Sequence, residues 1–274
     1  MAYPTIEAPY GLKPVNLIGG QSYSGSTREY KILNNYDTSI FNGDLVALVR
    51  GNLERIAVTT GTAGTVVGVF LGCKYTDPNT KQLTFSQFYP ADTAAGDIVG
   101  VVADDPDLCF KVAACSATTV IGSVAQAMVG QNLAMVNTAG STSTGNSSNA
   151  LLSPSDTPAT TAALPLRMLS VVEDTEKSLG TATYSSISTA TVTCSALPQA
   201  LVVGTDVGVL DSNGNYVASG SFVDTAAAAG ATSFILNQAP IATMAGTIVF
   251  RQYPEAIVKL NFGQHEYYAS TSTA

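Results

Sequence analysis

Charged side chains are scarce in this sequence of 274 residues, and one long stretch has none at all. Asp, Glu, Lys and Arg make up 12% of the chain, about half of the roughly 25% usual in soluble globular proteins. Residues 112–155 contain no charged side chain. Such a segment has too few solvated groups for an independent water-exposed domain, so we expect it to pack against another surface. This composition favours a β-rich structural protein over an enzyme.

Basic clusters, long apolar runs and a leader pattern are also missing. The 12 Lys and Arg residues stand against 20 Asp and Glu, for a net charge of −8. Binding to a phosphate backbone needs clustered Lys and Arg, so we expect no direct nucleic-acid partner. No run approaches the ~18 apolar residues of a membrane span, so we expect no membrane partner. The first residues do not form a secretory signal pattern, which predicts synthesis in a cytoplasm.

Residues suited to catalysis or metal binding are few. His265 is the only histidine, and its surroundings, GQHEYY, match no nucleophilic triad. We interpret it as a solvent-exposed or interface histidine. The cysteines show no metal-ligand spacing, which indicates small buried thiols, with a disulfide pair as the alternative. We expect no catalytic residue, no metal site and no cofactor, although paired carboxylates of the glycoside hydrolase type stay open. The four cysteines are Cys73, Cys109, Cys115 and Cys194.

Two acidic clusters lie in predicted turns. The run DDPD at 104–107 favours ordinary turn chemistry over a calcium site, because calcium needs several converging oxygens. The run DSNGN at 211–215 matches the start of a calcium loop. However, Tyr216 and Phe222 stand where that loop needs a glycine and an acid. We interpret both clusters as loops between strands.

Short β-branched runs separated by turn residues predict an all-β fold. A short helix is predicted over 121–129, where apolar residues fall at helical spacing and Gly130 follows. Residues 137–165 are rich in Ser, Thr, Asn, Gly and Pro and predict a long surface loop. Three hairpins are predicted, which join 45–49 to 53–58, 66–75 to 83–88, and 97–103 to 108–113.

A second β unit is predicted over 178–253. The strand at 256–261 returns to the first unit, so 178–253 is an inserted small β-sandwich or barrel module. The body then comprises 30–177 and is completed by 254–274. The strands predicted in the module are 190–194, 206–210, 216–223, 233–236 and 247–250.

Residues 1–29 are predicted to form an extended N-terminal arm. Prolines and glycines interrupt both helix and strand patterns there, yet the segment is too apolar for a solvated tail. We therefore expect it to lie on its own domain or on a neighbouring subunit, and we expect the protein to fold without residues 1–20. The candidate contact residues of the arm are Tyr3, Ile6, Tyr10, Leu12, Val15, Leu17 and Ile18.

Several segments occur in an order that carries a family resemblance. They are GLKPVNLIGGQSYSGSTREYKI, IFNGDLVALV, GVFLGCKYTDPNTKQLTFSQFYPA, VVADDPD and the late AIVKLNFGQHEY. Together they resemble head decoration (cement) proteins of tailed bacteriophages, particularly marine ones. The resemblance covers 11–177 and 254–268 and lies in the succession of segments more than in any one motif. Residues 178–253 resemble instead the small β modules that phages append to structural proteins.

The resemblance implies a β-tulip-like body on the outer capsid surface of a virion, bound to a separate major capsid protein. It also implies a homotrimer at three-fold and quasi-three-fold positions. The uncharged stretch 112–155 supports an oligomer, because interface cores are depleted in charge. The alternative is a tail or fibre protein that recognises a host surface glycan through the inserted module. A secreted β-sandwich hydrolase is disfavoured by the missing signal pattern and the single histidine.

Overall fold

The computed structural model describes residues 9–56, 65–115, 121–152 and 164–268. Within these ranges about half of the residues are strand and 4% are helical, so the predicted all-β class is confirmed. The only helical turns in these ranges are three 3₁₀ turns at Gln126–Met128, Glu173–Thr175 and Phe262–Gln264.

Nineteen strands are formed by the described residues. The first twelve are β1 (Lys13–Leu17), β2 (Arg28–Lys31), β3 (Leu45–Val49), β4 (Asn52–Arg55), β5 (Gly68–Thr76), β6 (Leu83–Ser86), β7 (Val99–Ala103), β8 (Leu108–Cys115), β9 (Asn132–Leu133), β10 (Met135–Val136), β11 (Ala150–Leu152) and β12 (Leu166–Val171). The others are β13 (Lys177–Ser188), β14 (Thr191–Cys194), β15 (Asp206–Leu210), β16 (Tyr216–Thr225), β17 (Ser233–Leu236), β18 (Thr247–Gln252) and β19 (Glu255–Leu260).

A seven-stranded sheet and a six-stranded sheet build the body. The seven-stranded sheet has the order β10-β11-β8-β19-β12-β9, and β1 adds to β8. The six-stranded sheet has the order β2-β7-β5-β3-β4, and β6 adds to β5. The β3–β4 hairpin turns through Arg50 and Gly51, which both have positive φ, as a two-residue turn of the type I′ class requires.

The remaining strands close into a barrel of order β13-β14-β17-β16-β15-β18. Strand β17, for example, alternates exposed Ser233 and Ile235 with buried Phe234 and Leu236, the period-two pattern of a half-buried strand. The inward-facing residues form a separate apolar core around Phe234 and Phe250. All five strands predicted for this module are present, whereas the long strand β13 was not predicted.

Two expected elements differ in the structure. The runs 97–103 and 108–113 are strands β7 and β8, but each belongs to a different sheet, so the third predicted hairpin is wrong. The turn between them carries the chain from one sheet to the other. The helix predicted over 121–129 is only a 3₁₀ turn, because Ile121 and Val124 form isolated β-bridges with Cys115 and Tyr253.

The described residues of the uncharged stretch 112–155 pack largely inside their own chain. Its strands β8 and β11 contribute completely buried residues to the body core, together with Leu133 and Met135. Burial within the monomer therefore accounts for the low charge here, and this stretch gives no separate support for an oligomer. The surface loop predicted over 137–165 is wrong at Ala150–Leu152, because these residues form β11 and Leu151 is buried in the body core. Residues 153–163 of that prediction lie outside the described residues.

The ends of the inserted module differ slightly from the predicted boundaries. Lys177 opens the module, since it pairs with Gln252 at the base of the β13–β18 ladder. Tyr253 belongs to the body, because it is buried in the body core and its N–H bonds to the Ser123 hydroxyl at 3.0 Å. The module thus begins and ends on two adjacent strands.

Candidate interaction surfaces

The residues proposed for the N-terminal arm divide between the body and its surface. Strand β1 is hydrogen-bonded to β8, so this part of the arm lies on its own domain. Val15 and Ile18 are 44% and 50% exposed, while Leu17 packs in part against the body core. Tyr3 and Ile6 lie outside the described residues.

Two other arm residues are used internally. Leu12 is completely buried in the body core, so its assignment as a contact for another protein is wrong. Tyr10 donates a hydrogen bond from its hydroxyl to the buried carboxylate of Glu255. Burial, followed by this carboxylate, raises the pKa of Tyr10. A residue spaced irregularly among glycines and prolines gives no sequence signal that distinguishes the core from the surface, which explains the error at Leu12.

Lys13 fastens the arm to the six-stranded sheet. Its ammonium group donates to the side-chain oxygens of Asn42 at 2.5 Å and Asn146 at 3.2 Å. The Asn42 amide in turn donates to the carbonyl of Leu71 at 2.6 Å. The exposed face of β1 is thereby held in a defined position on the body.

The histidine and the cysteines are buried. His265 is completely buried, so its interpretation as an exposed or interface residue is wrong. Burial lowers the pKa of His265, against opposing effects from the backbone and charge of Asp104. All four cysteines are free and buried, which confirms that they are small buried thiols. Burial raises the pKa of Cys73 to about 12 and that of Cys115 to about 11, so neither is an activated nucleophile.

The acidic run 104–107 forms a turn whose first carboxylate ties three segments together. Asp104 accepts hydrogen bonds from the hydroxyls of Tyr30 and Tyr267 and forms an ion pair with Arg28 at 3.0 Å. In the same turn, the carboxylate of Asp105 accepts from the N–H of Asp107 at 2.9 Å. These contacts attach the C-terminal segment to β2 and to the end of β7.

The run 211–215 is also a loop, as predicted. Asp211 accepts from the N–H groups of Asn213 and Asn215, both at 2.8 Å. The backbone N–H of Asn215 is the main cause of the lowered pKa of Asp211. In the described ranges, no group of three or more His, Cys, Asp or Glu residues is arranged to hold a metal ion.

A polar network joins the barrel to the body. Asp206 of β15 is buried, accepts from the Tyr216 hydroxyl at 2.6 Å and takes a further bond from the backbone of Gln126. The guanidinium of Arg251 lies 3.7 Å from the centre of the Tyr216 ring and forms an ion pair with Glu176 at 3.2 Å. Sequence reasoning missed this network, since its members come from distant parts of the chain.

The outer face of the six-stranded sheet carries an exposed apolar patch, which sequence reasoning also missed. Leu83 and Phe85 on β6 are 60% and 75% exposed. Phe85 borders an open groove of about 280 Å³ beside β5. The alternation in LTFS, with two apolar side chains on one face of a short strand, was the available signal. The groove is lined by Leu71, Gly72, Cys73, Phe85, Ser86, Gln87 and Val101.

No helix within the described ranges is long and apolar enough to cross a membrane. Comparison with known proteins identifies no family for this chain, because no family model and no curated protein matches it.

Proposed function

We propose that this chain is a structural virion protein that decorates and stabilises an icosahedral phage capsid by binding the outer surface of its major capsid protein shell. The order of sequence segments that resembles cement proteins is the first support. The second is the disposition of β1 and of the turn after it, which present Val15 and Ile18 to solvent, while Leu12 and Lys13 fasten β1 to the body. This exposed pair is the observation on which the proposal chiefly depends.

The chemistry of the described residues is consistent with a binding role. The buried carboxylates Asp44, Asp206 and Glu255 are each bonded to tyrosine, arginine, lysine or polar side chains within the chain. The thiols have raised pKa values. These carboxylates and thiols contribute to the stability of the fold. A decoration protein requires no catalytic group.

Attachment is tested with a variant that changes only the exposed arm. Val15→Lys/Ile18→Lys places two charges where apolar contact is proposed, and Val217→Lys, on the barrel, is the matched control. With capsids lacking the protein, the arm variant should bind at least about tenfold more weakly in co-sedimentation, the loss of roughly 1.4 kcal/mol. The control should bind normally. Equal binding of both variants would contradict the role of β1.

Stabilisation of the head is tested on whole particles. A protein that binds the assembled shell preferentially stabilises it by mass action, and many copies multiply a small contribution. Particles with the protein should release DNA at a higher temperature than particles without it. A density map should show the chain above the capsid shell, where we propose trimers at three-fold and quasi-three-fold positions. Equal DNA-release temperatures would contradict the stabilising role. A density map with copies bound singly or in pairs would contradict the proposed trimer.

Adhesion through the barrel is the second candidate function. Residues 178–250 contain only three charged residues, Asp206, Asp211 and Asp224, and Asp206 is buried. Exposed Ile235 and Ile241 add apolar contact area. A nearly neutral surface of this kind suits an uncharged host glycan better than a charged one. Labelling confined to the phage tail, with glycan binding that is lost in Ile241→Lys, would favour this candidate over decoration.

A further inference from the structure

Among the edge strands of at least four residues that the structure describes, β6 alone carries no protecting residue. Four strands of at least four residues form a ladder on one side only: β1 (KPVNL), β2 (REYK), β4 (NLER) and β6 (LTFS). Natural proteins protect such edges from pairing with another chain by placing charges or proline on them. The first three edges carry such residues, whereas β6 carries neither charge nor proline.

The side chains of β6 add apolar surface to its free backbone groups. Leu83 and Phe85 lie on the outer face of the sheet, and Thr84 and Ser86 lie on the inner, half-buried face. The groove beside Phe85 extends this apolar surface over β5 and β7. Backbone pairing and side-chain contact are therefore available at the same edge.

The distribution of charge at β6 is compatible with a second copy of this chain as its partner. The chain as a whole carries −8, so two copies repel each other over most of their surfaces. Lys74, the charged residue paired with Phe85 across the ladder, forms an ion pair with Glu29 at 2.5 Å. Asp77 and Lys81, in the turn before β6, also carry opposite charges that interact. The strand itself bears no charge, so two copies can pair along β6 without placing like charges opposite each other.

The alternation of faces restricts the register of such a contact. A two-fold axis perpendicular to the sheet keeps the outer faces of both copies on one side. Opposed residues must then share a face, because a shift by one residue would move side chains to the wrong side. An axis at Thr84 places Leu83 of each copy opposite Phe85 of the other copy. An axis at Phe85 would instead place Leu83 opposite Gln87.

We propose that two copies of this chain associate through antiparallel pairing of their β6 strands, on a two-fold axis at Thr84. The four apolar side chains Leu83 and Phe85 of both copies then form one cross-strand cluster, of the kind that stabilises sheets. This contact is independent of capsid binding. A four-residue strand buries less area than a stable dimer needs, so the free protein associates weakly, and copies held close together associate strongly.

Self-association is tested with one variant on the edge and one matched variant elsewhere. Phe85→Lys adds a charge to β6, and Ile241→Lys changes an even more exposed apolar residue on the barrel. Small-angle scattering from about 20 µM to about 1 mM should show growing dimer for the unchanged protein and for Ile241→Lys. Phe85→Lys should weaken the association at least about tenfold. A protein that stays monomeric throughout, or equal association of all three, would overturn the proposal.

Cross-linking tests the register itself. Facing residues in an antiparallel pair have Cα atoms about 4.5–5.5 Å apart, within the span of a disulfide. Thr84→Cys should therefore form a covalent dimer under mild oxidation. Leu83→Cys should not, since its two copies would lie roughly 8 Å apart. Cross-linking of Leu83→Cys alone would overturn the register. If self-association disappears when residues 1–8 are removed, the N-terminal arm mediates it, and the proposed β6–β6 contact is wrong.

Discussion

At the scale of single residues, a buried carboxylate connects the loops between the two sheets. Asp44 is completely buried and lies 3.0 Å from the Nε atom of Arg55 in an ion pair. It accepts hydrogen bonds from Ser147 at 2.6 Å, from Asn149 at 2.8 Å and from the N–H of Phe41 at 2.9 Å. Burial raises the pKa of Asp44, and the charge of Arg55 opposes this effect.

We predict that Asp44→Ala lowers the free energy of unfolding by about 3–5 kcal/mol, because it leaves the Arg55 charge and three donors without their acceptor. Urea unfolding measures this loss. Asp37→Ala, at an exposed site, should change stability by less than about 0.5 kcal/mol. Asp44→Asn should lie between the two. A loss at Asp44→Ala no larger than at Asp37→Ala would show that the network carries little stability.

The buried histidine predicts a pH dependence of stability. Since burial lowers the pKa of His265, the unfolded chain binds more protons than the folded chain between that lowered pKa and the ordinary value of 6.5. The contribution of His265 to stability is therefore full above pH 6.5 and is lost as the pH falls below it. Between pH 7.5 and pH 5, the free energy of unfolding should fall less steeply for His265→Gln than for the unchanged protein. Parallel curves would contradict the prediction.

At the scale of elements, the N-terminal arm proves to be part of the body's sheet. The sequence predicted an arm that can be removed to residue 20, but β1 pairs with β8 over Lys13–Leu17 and Leu12 fills the core. Removing these residues would expose the edge of β8 and open a cavity at Leu12. We therefore no longer expect the protein to fold without residues 1–20.

We predict that deletion of residues 1–18 yields an unstable or aggregated chain, because it removes β1 and the buried Leu12. Leu12→Ala in the full chain isolates the core contribution and should cost about 2–5 kcal/mol. Val15→Ala, at an exposed position of the same strand, should cost far less. Circular dichroism and urea unfolding distinguish the variants. Normal unfolding of the variant that lacks residues 1–18 would show that β1 is dispensable.

At the scale of the whole molecule, the barrel is inserted through two adjacent strands, yet it does not hang freely. Phe222 of β16 is buried within the body core, and the side-chain amide of Gln252 donates to the carbonyl of Gly122 at 3.1 Å. The Asp206 network adds further contacts. The barrel is therefore an attached unit with a defined position, and its removal uncovers part of the body.

We predict that a body in which a short Gly/Ser linker replaces 177–252 folds but is about 2 kcal/mol less stable, because the surface that receives Phe222 is exposed. The linker joins Glu176 to Tyr253 and preserves β8, β12 and β19. Phe222→Ala in the full chain should destabilise the body similarly, while Ile235→Ala should not. Urea unfolding provides the comparison. Aggregation of the shortened protein would show that the barrel completes the body core.

Local patterns in the sequence were sufficient for the fold class and for most strands, since alternation and turn residues act within a few positions. The β3–β4 and β5–β6 hairpins and the Asp211 loop are examples. Only the tertiary structure decided that β7 and β8 part into different sheets, that Leu12 and His265 are buried, and that β6 is left as an uncharged edge. These outcomes depend on contacts between residues far apart in the chain, whose energies no local pattern contains.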